Sequence, residues 1–167
     1  MDRQQIALKL AIEGLELPFK INTFDDRLIL QKTVYLAQAI GVHLGYYYQW
    51  YLHGPYCPSL TRDEYTIALE LGKGLDESKG WALDNVSQKL LGKLKNFISK
   101  TKKEGRSRKL ELLASVHFLI TRHQVPVNPM QQTEEITATL KKYNKDFSQQ
   151  EVEKAVRELK EYVLLAG

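Results

Sequence analysis

Histidine and cysteine side chains can bind metals, and cysteine can also act as a nucleophile. This sequence has five of them: His43, His53, His117, His123 and Cys57. His53 and Cys57 are four positions apart, but a Gly-Pro pair separates them and no further ligands complete a zinc pattern. A thiol nucleophile also needs a neighbouring base and an oxyanion donor, and the sequence identifies neither for Cys57. The sequence therefore predicts no metal, no cofactor and no enzymatic activity.

Two further patterns are more typical of structure than of catalysis. His117 falls on the apolar face of a predicted helix, where a hydrogen-bonded core histidine is expected. The Gly72-Lys73-Gly74 segment follows a predicted helix and lacks the preceding strand that nucleotide-binding loops have. We expect His117 and Cys57 to be buried structural residues.

The strongest concentration of one residue type is aromatic and lies in segment 46–56. Residues 46–53 favour a strand, which Gly54-Pro55 should end. Tyrosine beside a rigid turn is typical of protein-binding surfaces, and a strand covered on both faces is the alternative. Alternation places Tyr46, Tyr48, Trp50 and Leu52 on the inner face, and Tyr47, Gln49, Tyr51 and His53 on the outer face.

A basic stripe is the second notable surface. Between Lys89 and Lys109 lie nine basic residues and one acidic residue, although the whole chain carries only +4. Such a stripe indicates a polyanion or an acidic protein as partner, with a solvated helix end as the alternative. The candidate nucleic-acid-binding residues are Lys89, Lys93, Lys100, Lys102, Lys103, Arg106 and Arg108.

The elements that position these residues are mostly helices. Hydrophobic periodicity and capping residues predict helices over 2–15, 23–41, 61–71, 85–100, 107–122, 133–143 and 148–162. The third should start with a capping box, Thr61 to Glu64, and the fourth should bury Val86 with Leu90, Leu94 and Phe97. The last three helices and a strand near 163–165 could form a winged-helix-like lobe over 107–165. The last helix carries both acidic and basic residues, so it should bind weakly in the major groove of DNA.

Length and composition are those of one ordinary domain spanning 1–167. The 167 residues are 43% hydrophobic and 26% charged, and Cys57 is the only cysteine. No apolar run is long enough for an export signal or a membrane span. The predicted class is mainly α, a multi-helix single domain with the small β element 46–53, located in the cytoplasm.

Two motifs of this sequence resemble a known signature. Leu30-Gln31-Lys32-Thr33-Val34-Tyr35, followed by Trp50-Tyr51-Leu52-His53-Gly54-Pro55-Tyr56-Cys57-Pro58, resembles the Panacea domain of SocA-like antitoxins. The likeness covers residues 28–63. SocA-like members often have valine at the motif position of Tyr56, so the tyrosine here makes the sequence more similar to the uncharacterised YwgA-like bacterial proteins. The resemblance implies a helical, non-enzymatic module that binds a partner protein, such as a toxin, as an antitoxin or a defence-associated adaptor.

Two interpretations of the motif remain open at this point. Gln31 and Lys32 could hydrogen-bond carbonyls of the turn, where the two prolines offer no amide donors, so that the motif is structural. Alternatively the motif is a contact surface for the partner. The protein-binding candidates are Gln31, Lys32, Tyr35, Tyr47, Tyr51, His53, Gly54, Pro55, Tyr56 and Pro58.

Overall fold

The chain is mainly helical in a computed structural model that describes residues 1–122, 125, 128–162 and 164–165. The predicted fold class is confirmed. Within the described residues a two-stranded hairpin is inserted between the second and third of seven α-helices. The elements are α1 (Arg3–Gly14), α2 (Phe24–Ala39), β1 (Gln49–Tyr51), β2 (Gly54–Tyr56), α3 (Pro58–Gly72), α4 (Asn85–Ser99), α5 (Arg106–Thr121), α6 (Pro129–Lys142) and α7 (Gln149–Glu161).

Short polar side chains determine where several helices begin. The side chains of Thr23 and Ser148 each accept a hydrogen bond from the backbone amide three residues later, and the carboxylate of that later residue accepts one from the backbone amide of the capping residue. The capping box expected at Thr61 is wrong, because α3 already begins at Pro58. Proline suits the first turn of a helix, where its missing amide would have no helical partner.

Helices α2 and α5 form the centre of the core. Leu36 of α2 and Leu119 of α5 are fully buried, and α5 also packs against α7 and β2. The prediction that α5 is central is confirmed, since its apolar side chains face neighbours on most sides. The same core continues from Leu8 of α1 to Leu159 of α7.

Helix α4 is rotated relative to the prediction. Leu94 and Phe97 are buried as predicted, but Val86 is exposed, Leu90 is only half-buried, and the inner face also contains Ser87, Leu91 and Ile98. Asp84 caps this helix by accepting a hydrogen bond from the Ser87 amide at 2.9 Å. The cap turns Val86 outward and Ser87 inward.

The C-terminal lobe consists of α5, α6 and α7, and its expected final strand is not seen in the described part. Leu164 and Leu165 form a bend, and Val163 lies outside the described residues, as does His123. A positive φ of 57° at Asn144 turns the chain between α6 and α7. Among the described residues, no helix is both long and apolar enough to cross a membrane.

Candidate functional site at the β-hairpin

The first strand of the hairpin is shorter than the predicted strand, and it pairs with a second strand that the sequence did not indicate. Only Gln49–Tyr51 is strand, rather than 46–53, and it pairs antiparallel with Gly54–Tyr56. Leu52 and His53 form the turn, so Gly54-Pro55 begins the second strand instead of ending the first. The expected alternation is confirmed from Tyr46 to Tyr51, but Leu52 is exposed because it lies in the turn.

Gly54 is required by backbone conformation and by space. Its φ is 83°, in the left-handed region that glycine adopts without strain. A Cβ at this position would also overlap the Oγ of Ser115 on α5. The hairpin therefore lies directly against the central helix.

Lys32 bonds the backbone of the second strand. Only 1% of this residue is exposed, and its Nζ donates to the Pro55 carbonyl oxygen at 2.6 Å. Burial lowers the pKa of Lys32 to about 7, although Glu111 opposes this effect and Lys145 adds to it. Lys32 is thus a buried amine that gains and loses its proton near neutral pH.

Gln31 satisfies both backbone groups of Cys57. Its Nε2 donates to the Cys57 carbonyl oxygen at 3.0 Å, and its Oε1 accepts from the Cys57 amide at 3.2 Å. The same Nε2 donates to Thr61 Oγ1 at 2.8 Å. The prediction that Gln31 and Lys32 bond carbonyls of the Gly-Pro segment 54–58 is confirmed. Cys57 is buried as expected.

The turn is also held by Lys145 and Glu111, which were not among the residues predicted from the sequence. Lys145, which is buried between α6 and α7, donates to the Leu52 carbonyl oxygen at 2.6 Å and to Glu111 Oε1 at 2.7 Å. His53 Nδ1 lies 3.5 Å from the same Glu111 oxygen. No local pattern could indicate this contact, because Lys145 is 93 positions from Leu52.

Tyr35 and His117 form a hydrogen-bonded pair in the core. His117 Nε2 lies 3.0 Å from the Leu164 carbonyl oxygen, which can only accept, so Nε2 carries the proton. Its Nδ1 then accepts from the Tyr35 hydroxyl at 2.7 Å. Burial lowers the pKa of His117, which keeps the ring neutral. The expectation of a core histidine is confirmed.

Glu64 is a buried carboxyl group that the sequence analysis placed wrongly at a helix cap. It is fully buried on α3, and neither of its oxygens has a hydrogen-bond partner among the described residues. Burial raises the pKa of Glu64 to about 8, with a smaller opposing effect of Arg27. The group is therefore predominantly protonated at neutral pH.

An exposed apolar and aromatic surface covers the outer side of the hairpin. We define the hairpin surface as Phe24, Tyr47, Tyr51, Leu52 and His53. Tyr47 is 88% exposed, Leu52 67% and Tyr51 57%. The ring of Phe24 lies 4.9 Å from that of His53, and Tyr51 lies 5.4 Å from Tyr56. This surface belongs to a hairpin whose Leu52 and Pro55 carbonyl oxygens are bonded by Lys145 and Lys32.

The protein-binding candidates fall into two groups. Five are buried and hold or pack the hairpin, so they do not face a partner: Gln31, Lys32, Tyr35, Gly54 and Pro55. Tyr56 is half-buried, and its hydroxyl accepts from Thr61 Oγ1 at 3.1 Å. The exposed candidates are Tyr47, Tyr51, His53 and Pro58.

The basic stripe is divided in a similar way. Arg108 is bonded to the Asp146 carbonyl oxygen and to Glu151, at 2.7 and 3.0 Å. Arg106 is half-buried and bonded to the Thr101 carbonyl oxygen, and Lys100 donates to the Tyr162 hydroxyl. The candidates that are exposed and form neither an ion pair nor a side-chain hydrogen bond within the described chain are Lys89, Lys93, Lys102 and Lys103.

No group of three or more His, Cys, Asp or Glu residues in the described part of the chain is placed to hold a metal. The fold and the site together define a class, a helical domain presenting a braced aromatic hairpin. No protein-family model matches this chain, and no curated protein or solved structure matches it either.

Proposed function

We propose that this chain is a non-enzymatic protein-interaction module that binds its partner through the hairpin surface. The observation that carries the proposal is the combination of exposed rings with a fixed backbone. Tyr47, Tyr51 and Leu52 offer apolar area, while Lys32 and Lys145 bond the carbonyls of Pro55 and Leu52 beneath them. A surface ordered before binding loses less conformational entropy when a partner docks.

The composition of the surface supports a protein as partner. Tyrosine contributes large contact area with few rotatable bonds, and such residues dominate the binding energy of protein interfaces. The resemblance of residues 28–63 to the Panacea signature makes a toxin the first partner to test, with the chain acting as antitoxin or defence-associated adaptor.

The test uses matched pairs of substitutions. Tyr51→Ala removes a tyrosine of the hairpin surface, and Tyr65→Ala removes one of similar exposure from α3. Leu52→Ala and Leu69→Ala form a second pair, at 67% and 61% exposure. Partners are captured from nuclease-treated native extract, identified by mass spectrometry, purified and titrated by calorimetry.

We expect Tyr51→Ala and Leu52→Ala each to weaken partner binding by about tenfold or more, as at interface hot spots. Tyr65→Ala and Leu69→Ala should leave the affinity within about twofold. Tyr56→Ala is a poorer probe, because it also removes the contact with Thr61 and the ring beside Tyr51. Equal affinities within both pairs would refute the hairpin surface as the binding site.

The four unpaired lysines support one alternative, a nucleic-acid-binding function. Lys89 and Lys93 lie one turn apart on α4, and Lys102 and Lys103 follow its end. Binding of duplex DNA should weaken steeply with salt, since each phosphate contact releases counterions. Lys89→Gln with Lys93→Gln should reduce that salt dependence, whereas absent or salt-insensitive binding would rule the alternative out.

A further inference from the structure

A cavity of about 280 Å³ lies between α2 and the hairpin. Its size is close to the lower end of small-molecule sites, which is roughly 300 Å³. Aromatic rings contribute on two sides, Phe24 on α2 and the neighbouring Tyr51 and Tyr56 on the hairpin. The cavity can therefore enclose a compact planar or branched apolar group.

The charged side chains that line this cavity are basic. Arg27, Lys32 and His53 line it, and none of the described lining residues is acidic. Glu111 does not line the cavity, but it lies 3.5 Å from His53 and favours the protonated form of Lys32. Lys32 has three N–H donors when protonated, and one acceptor, the Pro55 carbonyl oxygen, is bonded to them. Arg27 donates from Nη1 to the Ile21 carbonyl oxygen at 2.8 Å. Both side chains therefore keep donors for a further acceptor.

We propose that this cavity binds a small carboxylic acid with an aromatic or branched aliphatic body, whose carboxylate is held by Lys32 and Arg27. The apolar body lies between Phe24 and the two tyrosines, where burial of its surface contributes to affinity. The carboxylate bonds directly to the buried ammonium group, which Glu111 stabilises only from a distance, and a charge-assisted bond of this kind is stronger than a neutral one.

The site should take up a proton when it binds the acid. Glu111 on α5 stabilises protonated Lys32, Lys145 beyond α6 destabilises it, and Arg27 and His53 line the same cavity. Because burial lowers the pKa of Lys32 to about 7, part of the population must gain a proton before it can pair with the acid. Binding should therefore weaken as pH rises above neutral.

The experiment compares an acid with its own amide. The probes are 3-phenylpropionate and 3-phenylpropanamide, titrated into the full chain and followed by NMR chemical shifts of the hairpin amides. We expect the acid to bind at least about tenfold more tightly than the amide, because only the acid carries charge. N-acetyl-phenylalanine and its amide form a second pair, in which binding of the acid would show that a peptide C-terminus can also occupy the site.

The pH arm is best run in a Glu64→Gln background, because burial raises the pKa of Glu64 to about 8, within the same range. Because burial lowers the pKa of Lys32 to about 7, most of its protonated form that remains at pH 7.5 is lost by pH 9.0. We expect the affinity of 3-phenylpropionate to fall by about tenfold or more over this interval. Arg27→Gln should weaken the acid and spare the amide, and Lys89→Gln on α4 serves as the remote control.

Three results would overturn the proposal: no binding of either acid, equal binding of acid and amide, or an affinity that does not change between pH 7.5 and 9.0. None of these measurements depends on the partner protein. Tyr47 does not line the cavity, so capture of a partner by wild type and its loss in Tyr47→Ala would support the hairpin surface even if both acids failed to bind.

Discussion

Glu64→Gln should stabilise the protein progressively as pH rises. In the unfolded chain the Glu64 carboxyl loses its proton near its ordinary pKa of 4.5, whereas burial holds the proton in the folded chain up to a pKa of about 8. Between these values the folded state binds one proton more than the unfolded state, so stability falls with increasing pH. The loss levels off above pH 8, where both states are ionised.

The expected size follows from the same two pKa values. Moving a pKa from 4.5 to about 8 corresponds in total to about 5 kcal/mol of folding free energy. About 3 kcal/mol of this should be lost between pH 4.5 and 7.0, and about 1.4 kcal/mol more between pH 7.0 and 9.0. Glutamine has a similar shape and does not titrate, so the variant escapes the loss.

The assay is urea unfolding of both proteins at pH 4.5, 7.0 and 9.0, followed by tryptophan fluorescence and circular dichroism. The quantity of interest is the stability difference between Glu64→Gln and wild type at each pH, because other titrating groups cancel in it. Glu135→Gln, which changes an exposed carboxyl group on α6, should give a difference that stays within about 0.5 kcal/mol. A Glu64→Gln difference that is constant with pH would refute the reasoning and mean that the folded carboxyl is stabilised as an anion.

Three further predictions concern the bracing of the hairpin and the last helix. Gly54→Ala should lower the free energy of unfolding by at least about 2 kcal/mol, because the backbone there is left-handed and the new Cβ would overlap Ser115. Adding Ser115→Ala should recover only the part of the loss that comes from the overlap. An unchanged urea midpoint in Gly54→Ala would contradict this prediction. Lys145→Met should cost about 3 kcal/mol, because Glu111 and the Leu52 carbonyl lose their donor, whereas Lys142→Met at an exposed position should be nearly neutral in the same assay. Ser148→Ala should cost about 1 kcal/mol by removing the cap of α7, and calorimetric melting that is identical to wild type would argue against the cap.

Local rules account for the part of the fold that could be predicted. Helices α2 and α7 follow from an apolar stripe behind a capping residue, Thr23 and Ser148, because these signals lie within a few positions of each other. The inward and outward alternation of Tyr46 to Tyr51 follows from extended backbone in the same way. The bonds from Gln31 and Lys32 could be anticipated because prolines leave neighbouring carbonyls in need of donors.

The second strand could not be predicted from propensity. Glycine and proline are both poor strand residues, yet Gly54 and Pro55 are paired here. Proline is tolerated because a two-stranded hairpin has free edges, where an amide is not needed. Glycine is required because α5 approaches too closely for any side chain, and this fact belongs to the tertiary packing rather than to the segment itself.

The burial of Lys145 and Glu64 also could not be predicted from the sequence, because it depends on elements that meet only in the folded chain. Lys145 sits in a short polar connection that predicts exposure, but docking of the α6–α7 turn on the hairpin buries it. Glu64 has the spacing of a cap, but the start of α3 at Pro58 turns it inward. Because α3 extends on both sides of Thr61, Glu64 shares the buried face of Leu60 and Ile67, which lie four residues before it and three after it.

The two buried lysines that flank the hairpin differ in how well they are paired, and this difference bears on function. Lys145 has both a carboxylate and a carbonyl as partners, at 2.7 and 2.6 Å, so its donors are well used. Lys32 has one carbonyl and a lowered pKa, which means that its charge is poorly compensated in the folded chain. Lys32 also lines the cavity beside the aromatic surface, and the donors it does not use on the Pro55 carbonyl are the feature on which the proposed acid site depends.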